Sequence, residues 1–152
     1  MLMKIILTSV FLIAANFIFA QANRIVGIWL TEDKNSQVEI FRSASGSYSG
    51  KLVWLEEPLD ENGQIKRDTE NPDRNLRNRP LKGLLLLEGF QYDDRSKEWT
   101  DGTIYDPESG RNYSAYMWFG NNNNTLNLKG FVMGMRFLGR STTWTRDTRV
   151  RE

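Results

Sequence analysis

The chain has 152 residues, within the size of one domain, and 20 basic against 19 acidic side chains, so its overall charge gives no basis for nucleic-acid binding. It contains no Cys and no His. That excludes disulfides, Ser-His-Asp and Cys-His nucleophile systems, a His general base and zinc sites built on thiolate or imidazole, and leaves carboxylates, Lys, Tyr and backbone groups for chemistry.

The first twenty residues read as a targeting segment. Lys4 supplies one positive charge, Ile5 to Phe19 is apolar except for Thr8, Ser9 and Asn16, and Ala20-Gln21 opens a polar sequence. This is the layout of a secretory signal peptide. The apolar run, on the order of 15 residues, is short of the ~20 that a spanning helix needs. The expectation is cleavage after Ala20, leaving residues 21–152 as one secreted or periplasmic domain that does not span a membrane. No Cys near the cut could carry a lipid. Residues 1–20 hold one Lys and no acid, so the remainder has 19 charges of each sign and no net charge. A chain of that length buries roughly two-thirds of its unfolded surface and needs no staples.

From there the sequence is a series of short strands. Arg24 to Thr31 is rich in β-branched residues and ends near Trp29. Ser36 to Arg42 alternates, with Val38 and Ile40 on one face. Tyr48 to Leu55 is the third strand, with Tyr48, Gly50, Leu52 and Trp54 sharing a face and Gly50 suggesting a bend or bulge. Residues 56–80 form a connection too long to be a neutral link. In it, Asn71-Pro72-Asp73 could cap one helical turn through Asn78. Leu81 to Tyr92 holds four consecutive Leu, which fits a strand buried on both faces or a short helix, and the flanking Gly83 and Gly89 favour the strand. Glu98 to Tyr105, Asn112 to Phe119, Thr125 to Val132 and Phe137 to Arg146 complete the set. Asp106-Pro107 with Gly110 behind it is a turn with a mechanism, because Asp accepts local N–H bonds and Pro fixes φ. On the sixth strand, Tyr113, Ala115, Met117 and Phe119 share a face, with Tyr116 and Trp118 opposite. Asp147 to Glu152 is a charged tail expected to fray. Eight strands and no long helix predict an all-β fold: an eight-stranded antiparallel up-and-down barrel of the lipocalin or fatty-acid-binding type, with one long loop between strands 3 and 4. A two-sheet sandwich is the alternative.

Gly27-Ile28-Trp29 on the first strand, with Gly139-Arg140-Ser141-Thr142-Thr143-Trp144 on the last, resembles the lipocalin pattern, in which a Trp plugs one barrel end and an Arg lies across its face. With Gly50-Lys51-Leu52-Val53-Trp54-Leu55, Leu76-Arg77-Asn78-Arg79-Pro80-Leu81-Lys82-Gly83-Leu84 and Gly102-Thr103-Ile104-Tyr105-Asp106-Pro107, these stretches resemble the DUF2147 family of small secreted bacterial proteins. That resemblance implies an exported, lipocalin-like barrel, and it implies no activity and no catalytic residues.

Three groups of residues are candidates for function. Gly27, Trp29 and Arg140 would form the structural plug, with Arg146 as the competing partner of the indole. Trp54, Tyr105, Tyr113 and Trp144 offer apolar bodies with polar tips, suited to lining a cavity and equally to filling a core. Arg77 and Arg79, in a locally basic loop, would point the same way if extended and grip a carboxylate or phosphate; the plainer reading is that both satisfy loop carbonyls or acidic neighbours. Asp101 and Asp106 are the one pair worth testing as an acid/base couple, although Asp106 is better explained as a turn former. Asp60-Glu61-Asn62-Gly63 lacks the spacing of a calcium loop. The expectation is therefore a non-enzymatic exported protein, without metal or cofactor, that binds a small hydrophobic or amphipathic ligand, including an acidic lipid. The alternative is an envelope or partner-binding module with a filled barrel.

Overall fold

The structure is a computed structural model that describes residues 17–152. The charged start and most of the apolar run of the expected signal peptide lie outside the described residues. Residues 17–23 are helical, so the helix runs through the expected cleavage point at Ala20.

Eight strands follow: β1 (Gly27–Leu30), β2 (Ser36–Arg42), β3 (Tyr48–Leu55), β4 (Leu85–Asp93), β5 (Glu98–Asp106), β6 (Arg111–Phe119), β7 (Thr125–Val132) and β8 (Met135–Asp147). Each pairs antiparallel with the next, and β1 pairs with β8 to close the barrel. The inner faces carry Val38, Ile40, Leu52, Leu87, Phe90, Ala115, Met117, Leu126, Leu128 and Trp144, all buried in one cluster. Alternation places them there, since successive side chains on a strand point to opposite faces. Gly102 belongs to this interior by subtraction, because a Cβ on it would stand 2.4 Å from the Phe90 ring.

Several boundaries differ from the expected ones, each for a local reason. β1 starts only at Gly27, because residues 24–26 complete a turn in which the Val26 amide donates to the Asn23 carbonyl at 3.0 Å. β4 starts at Leu85. Leu81 to Leu84 make a turn with Gly83 at φ +92°, and the Gly83 amide donates to the Leu52 carbonyl at 2.7 Å. The helical turn in the long loop is a 3-10 turn at Arg74–Leu76, capped by Asp73 rather than Asn71. β8 begins at Met135, behind a tight turn with Met133 and Gly134 both at positive φ. The tail is clasped rather than frayed. Gln37 is fully buried, and among the described residues its carboxamide bonds to Asp147, the Arg149 carbonyl and the Arg151 amide.

The seam is uneven. β8 has 13 residues and β1 has 4. β1 reaches β8 only through Ile28↔Asp147, Trp29↔Arg146 and Leu30↔Thr145. β7 borders β8 from Thr145 to Met135, so toward the hairpin turn β8 has a ladder on one side alone.

Candidate functional site

The two ends of the barrel differ. At one end the chain entering β1 forms a plug. Ile25 and Trp29 are fully buried and Ala22 nearly so. The Trp29 indole N–H donates to the Ile25 carbonyl at 2.9 Å, the Trp99 indole N–H to the Ala22 carbonyl at 3.1 Å, and the Tyr48 hydroxyl to Asn23 Oδ1 at 2.7 Å. Phe119 lies between the two indoles, 6.2 Å from Trp29 and 5.2 Å from Trp99.

The guanidinium over Trp29 is that of Arg146, 4.2 Å from the ring, and not that of Arg140. Register decides this, since Trp29 pairs directly with Arg146. Arg146 also donates to the carbonyls of Val26, Arg24 and Asn123, tying the incoming segment to β8 and to the β6–β7 turn. Gly27 is part of the same device. Its φ is +144°, and a Cβ there would sit 2.7 Å from Arg146 Nη1.

The other end is open and holds a cavity of about 720 Å³. Ile104, Tyr113, Leu128 and Gly130 form part of its wall, with Leu138 and Arg140 on β8 and Glu32 and Asp33 from the β1–β2 turn. Arg140 alternates with Trp144 along β8 and so lies on the inner face, opposite Gly130, whose missing side chain leaves room beside it. Asp106 also lines this cavity and is already occupied as a turn former, accepting from the Glu108 amide and the Ser109 hydroxyl. A second hollow of about 550 Å³ lies on the other side of the β5–β6 turn, lined by Leu52, Leu55, Leu81 and Leu86.

The long loop is anchored by a buried carboxylate that the sequence did not single out. Asp68 has no exposed surface. It accepts from the Tyr105 hydroxyl at 2.6 Å, from Asn71 Nδ2 at 2.8 Å and from Arg79 Nε at 2.8 Å, with Arg79 Nη2 also at 2.8 Å. Burial pushes the Asp68 carboxyl up, and the three hydrogen bonds and the Arg79 charge outweigh it, so the group sits below the ordinary Asp range. Tyr105 is pushed up by its own burial and by donating to Asp68. The loop also presses on the β5–β6 turn, where a Cβ on Gly110 would collide with the Glu70 carbonyl at 2.0 Å.

Of the aromatic candidates, Tyr113 lines the cavity and Trp144 is buried in the core. Tyr105 faces outward under the loop. Trp54 also faces outward, against the tail: its indole N–H donates to the Glu152 carbonyl at 3.1 Å and Arg151 lies over its ring at 5.3 Å. The cause is a bulge. Val38 pairs with Leu52 but Gln37 pairs with Trp54, so Val53 is an extra residue that turns Trp54 over. Arg77 donates to the Asn71 carbonyl and Arg79 to Asp68, so both guanidinium groups hold the loop.

An eight-stranded up-and-down barrel, plugged at one end by an arginine-capped Trp and hollow at the other, is a lipocalin-like protein, a fold typically used for binding and able to hold one small ligand. The chain belongs to the DUF2147 family, described as an uncharacterized protein conserved in bacteria, which it matches over residues 27–146. Among solved structures it is similar to protein HP1028 from the human pathogen Helicobacter pylori, described as belonging to the lipocalin family. The identity is 25%, the TM-score 0.67, and the likeness covers 82% of this chain and 83% of that one. No curated protein matches it. Among the described residues no helix is long and apolar enough to cross a membrane.

Proposed function

We propose that the protein is exported and holds a small amphipathic molecule, without altering it, in the cavity at the open end of the barrel. The observation that carries this reading is the cavity itself, about 720 Å³ in a barrel whose other end is filled. Pockets for small ligands are commonly of this size, mostly apolar with a few placed polar groups. Ile104, Leu128 and Leu138 offer the apolar wall, and Tyr113 adds an amphipathic ring.

The charges on the wall favour one kind of head. Arg140 stands among three carboxylates, Glu32, Asp33 and Asp106. A bare carboxylate would find one partner and three like charges, whereas a zwitterionic head finds partners for both of its charges. Arg77 and Arg79, spent on the loop, are not needed. The apolar body would supply most of the affinity, at roughly 0.8 kcal/mol per CH₂ buried.

The test is displacement of a fluorescent fatty-acid probe from delipidated protein by a lysophosphatidylethanolamine, by a fatty acid and by its methyl ester. The zwitterion should compete best, and Arg140→Ala should weaken it while leaving the ester nearly unaffected. Should the probe not bind at all, the barrel is filled in solution and the protein is an envelope or partner-binding module.

A further inference from the structure

The β7–β8 hairpin carries features that a ligand cavity does not require. At its tip Met133 is 84% exposed, and Phe137, on β8 just behind the turn, is 75% exposed. Val132 and Leu138 beside them are also exposed. Val132 and Leu138 line the cavity, but Met133 and Phe137 do not, and two large apolar side chains so exposed at one end of one hairpin mark an interaction site. Behind them on the outer face is an aromatic layer. Tyr116 stacks on Trp118 at 5.1 Å and meets Phe131 at 6.0 Å.

The charge of the hairpin itself is one-sided, while Glu98 and Asp101 of β5 stand beside its aromatic layer. From Gly120 to Arg146 the sequence has Lys129, Arg136, Arg140 and Arg146 and no Asp or Glu. Arg146 belongs to the plug at the far end. Arg136 lies 3.4 Å over the Tyr116 ring and pairs with Glu98 at 2.7 Å. Among the described residues no carboxylate pairs with Lys129 or Arg140. The acids of the open end, Glu32, Asp33, Glu56, Glu57, Asp106 and Glu108, stand on the other turns around the mouth.

We propose that the tip of the β7–β8 hairpin docks on the surface of an anionic lipid bilayer, with Met133 and Phe137 among the headgroups. Behind the apolar tip, Tyr116 and Trp118 share the outer face with Lys129, which pairs directly with Tyr116, and aromatic rings beside a cation are what a bilayer interface favours. Phe137 stands in a bulge, where the single step from Val132 to Phe131 on β7 faces Met135 to Gly139 on β8, and so it stays close to the tip. Charge complementarity selects the lipid. Lys129 on the outer face meets anionic headgroups, and the acidic turns keep the rest of the mouth away, so the barrel meets the surface edge-on. This proposal stands whether or not the cavity holds a ligand.

The test is sedimentation of residues 21–152 with vesicles of phosphatidylglycerol and phosphatidylethanolamine, or of phosphatidylcholine alone, together with sedimentation velocity of the free protein. The protein should pellet with the anionic vesicles and about tenfold less with the zwitterionic ones, and added salt should release it. Met133→Ser with Phe137→Ser should reduce anionic-vesicle binding by about tenfold or more. Both residues are exposed, so the variant should keep the wild-type melting temperature, and Lys129→Gln gives an independent loss through charge alone. Equal pelleting of wild type and double variant overturns the proposal, as does wild type that ignores anionic vesicles. A wild-type dimer that becomes a monomer in the double variant, with no vesicle binding, assigns the patch to a second copy of the chain instead.

Discussion

At the scale of single residues, the chain spends its charges on closing and anchoring the barrel. Arg146 covers Trp29 and donates to three backbone carbonyls, including those of Val26 and Arg24 just before β1. Arg146→Met should therefore cost about 2 kcal/mol or more, while Arg140→Met should stay within about 0.5 kcal/mol, as for ordinary surface positions. Trp29→Ala empties a fully buried site and should cost about 3–5 kcal/mol. Denaturant melts of the three variants check the order. Asp68 is the second anchor, and its behaviour with pH follows from its lowered carboxyl. The stabilisation it gives is fully present above the unfolded value, about pH 4, and is lost as pH falls through the lower folded value. Asp68→Asn should cost about 2–3 kcal/mol near neutrality, since it strips Arg79 and Tyr105 of their shared partner. The gap between wild type and variant should narrow below about pH 4. A gap that stays constant from pH 7 to pH 3 in thermal melts would mean that the charge on Asp68 contributes nothing.

At the scale of elements, the segment entering β1 and the tail leaving β8 are as structural as the strands. Export with cleavage after Ala20 would leave Gln21 to Val26 in place, and with them Ala22 and Ile25 in the plug. Intact mass of the protein extracted from its source should place the N-terminus at Gln21. Removing residues 21–26 from that product should instead lower its stability by several kcal/mol, as loss of a buried Ile and the carbonyls that pair both indoles requires. Deleting residues 148–152 should cost about 1–3 kcal/mol, because buried Gln37 loses the Arg149 and Arg151 backbone groups. Strand number, turn chemistry and the inner face of β6 were legible in the sequence, because period-two alternation and Asp-Pro or Gly turns are local signals. The tail, the Trp54 face and the choice between Arg140 and Arg146 were not. Each depends on register or on one bulged residue, and a single-residue slip exchanges the two faces of a strand.

At the scale of the whole molecule, the barrel divides into a packed half and a hollow half. The division follows from where the large side chains fall: Trp29, Trp99, Phe90 and Met117 are buried toward the plug, while Gly130 and Gly139 occupy the wall near the mouth. The sequence pointed to a barrel and to aromatics able to line it, but the candidate site moved. Arg77 and Arg79 follow the plainer reading, on the Asn71 carbonyl and on Asp68, but nothing in the spacing of Asp68 marks it as buried. The uneven seam bears on what such a barrel could hold. A cup limits its contents by depth, and a slotted tube limits them only by width. Beside the cavity the wall between β8 and the β1–β2 turn has no ladder, so an extended molecule could lie with its middle inside and both ends in water. Tyr113, Leu128 and Leu138 would restrict the girth of such a molecule, and nothing in this wall would restrict its length.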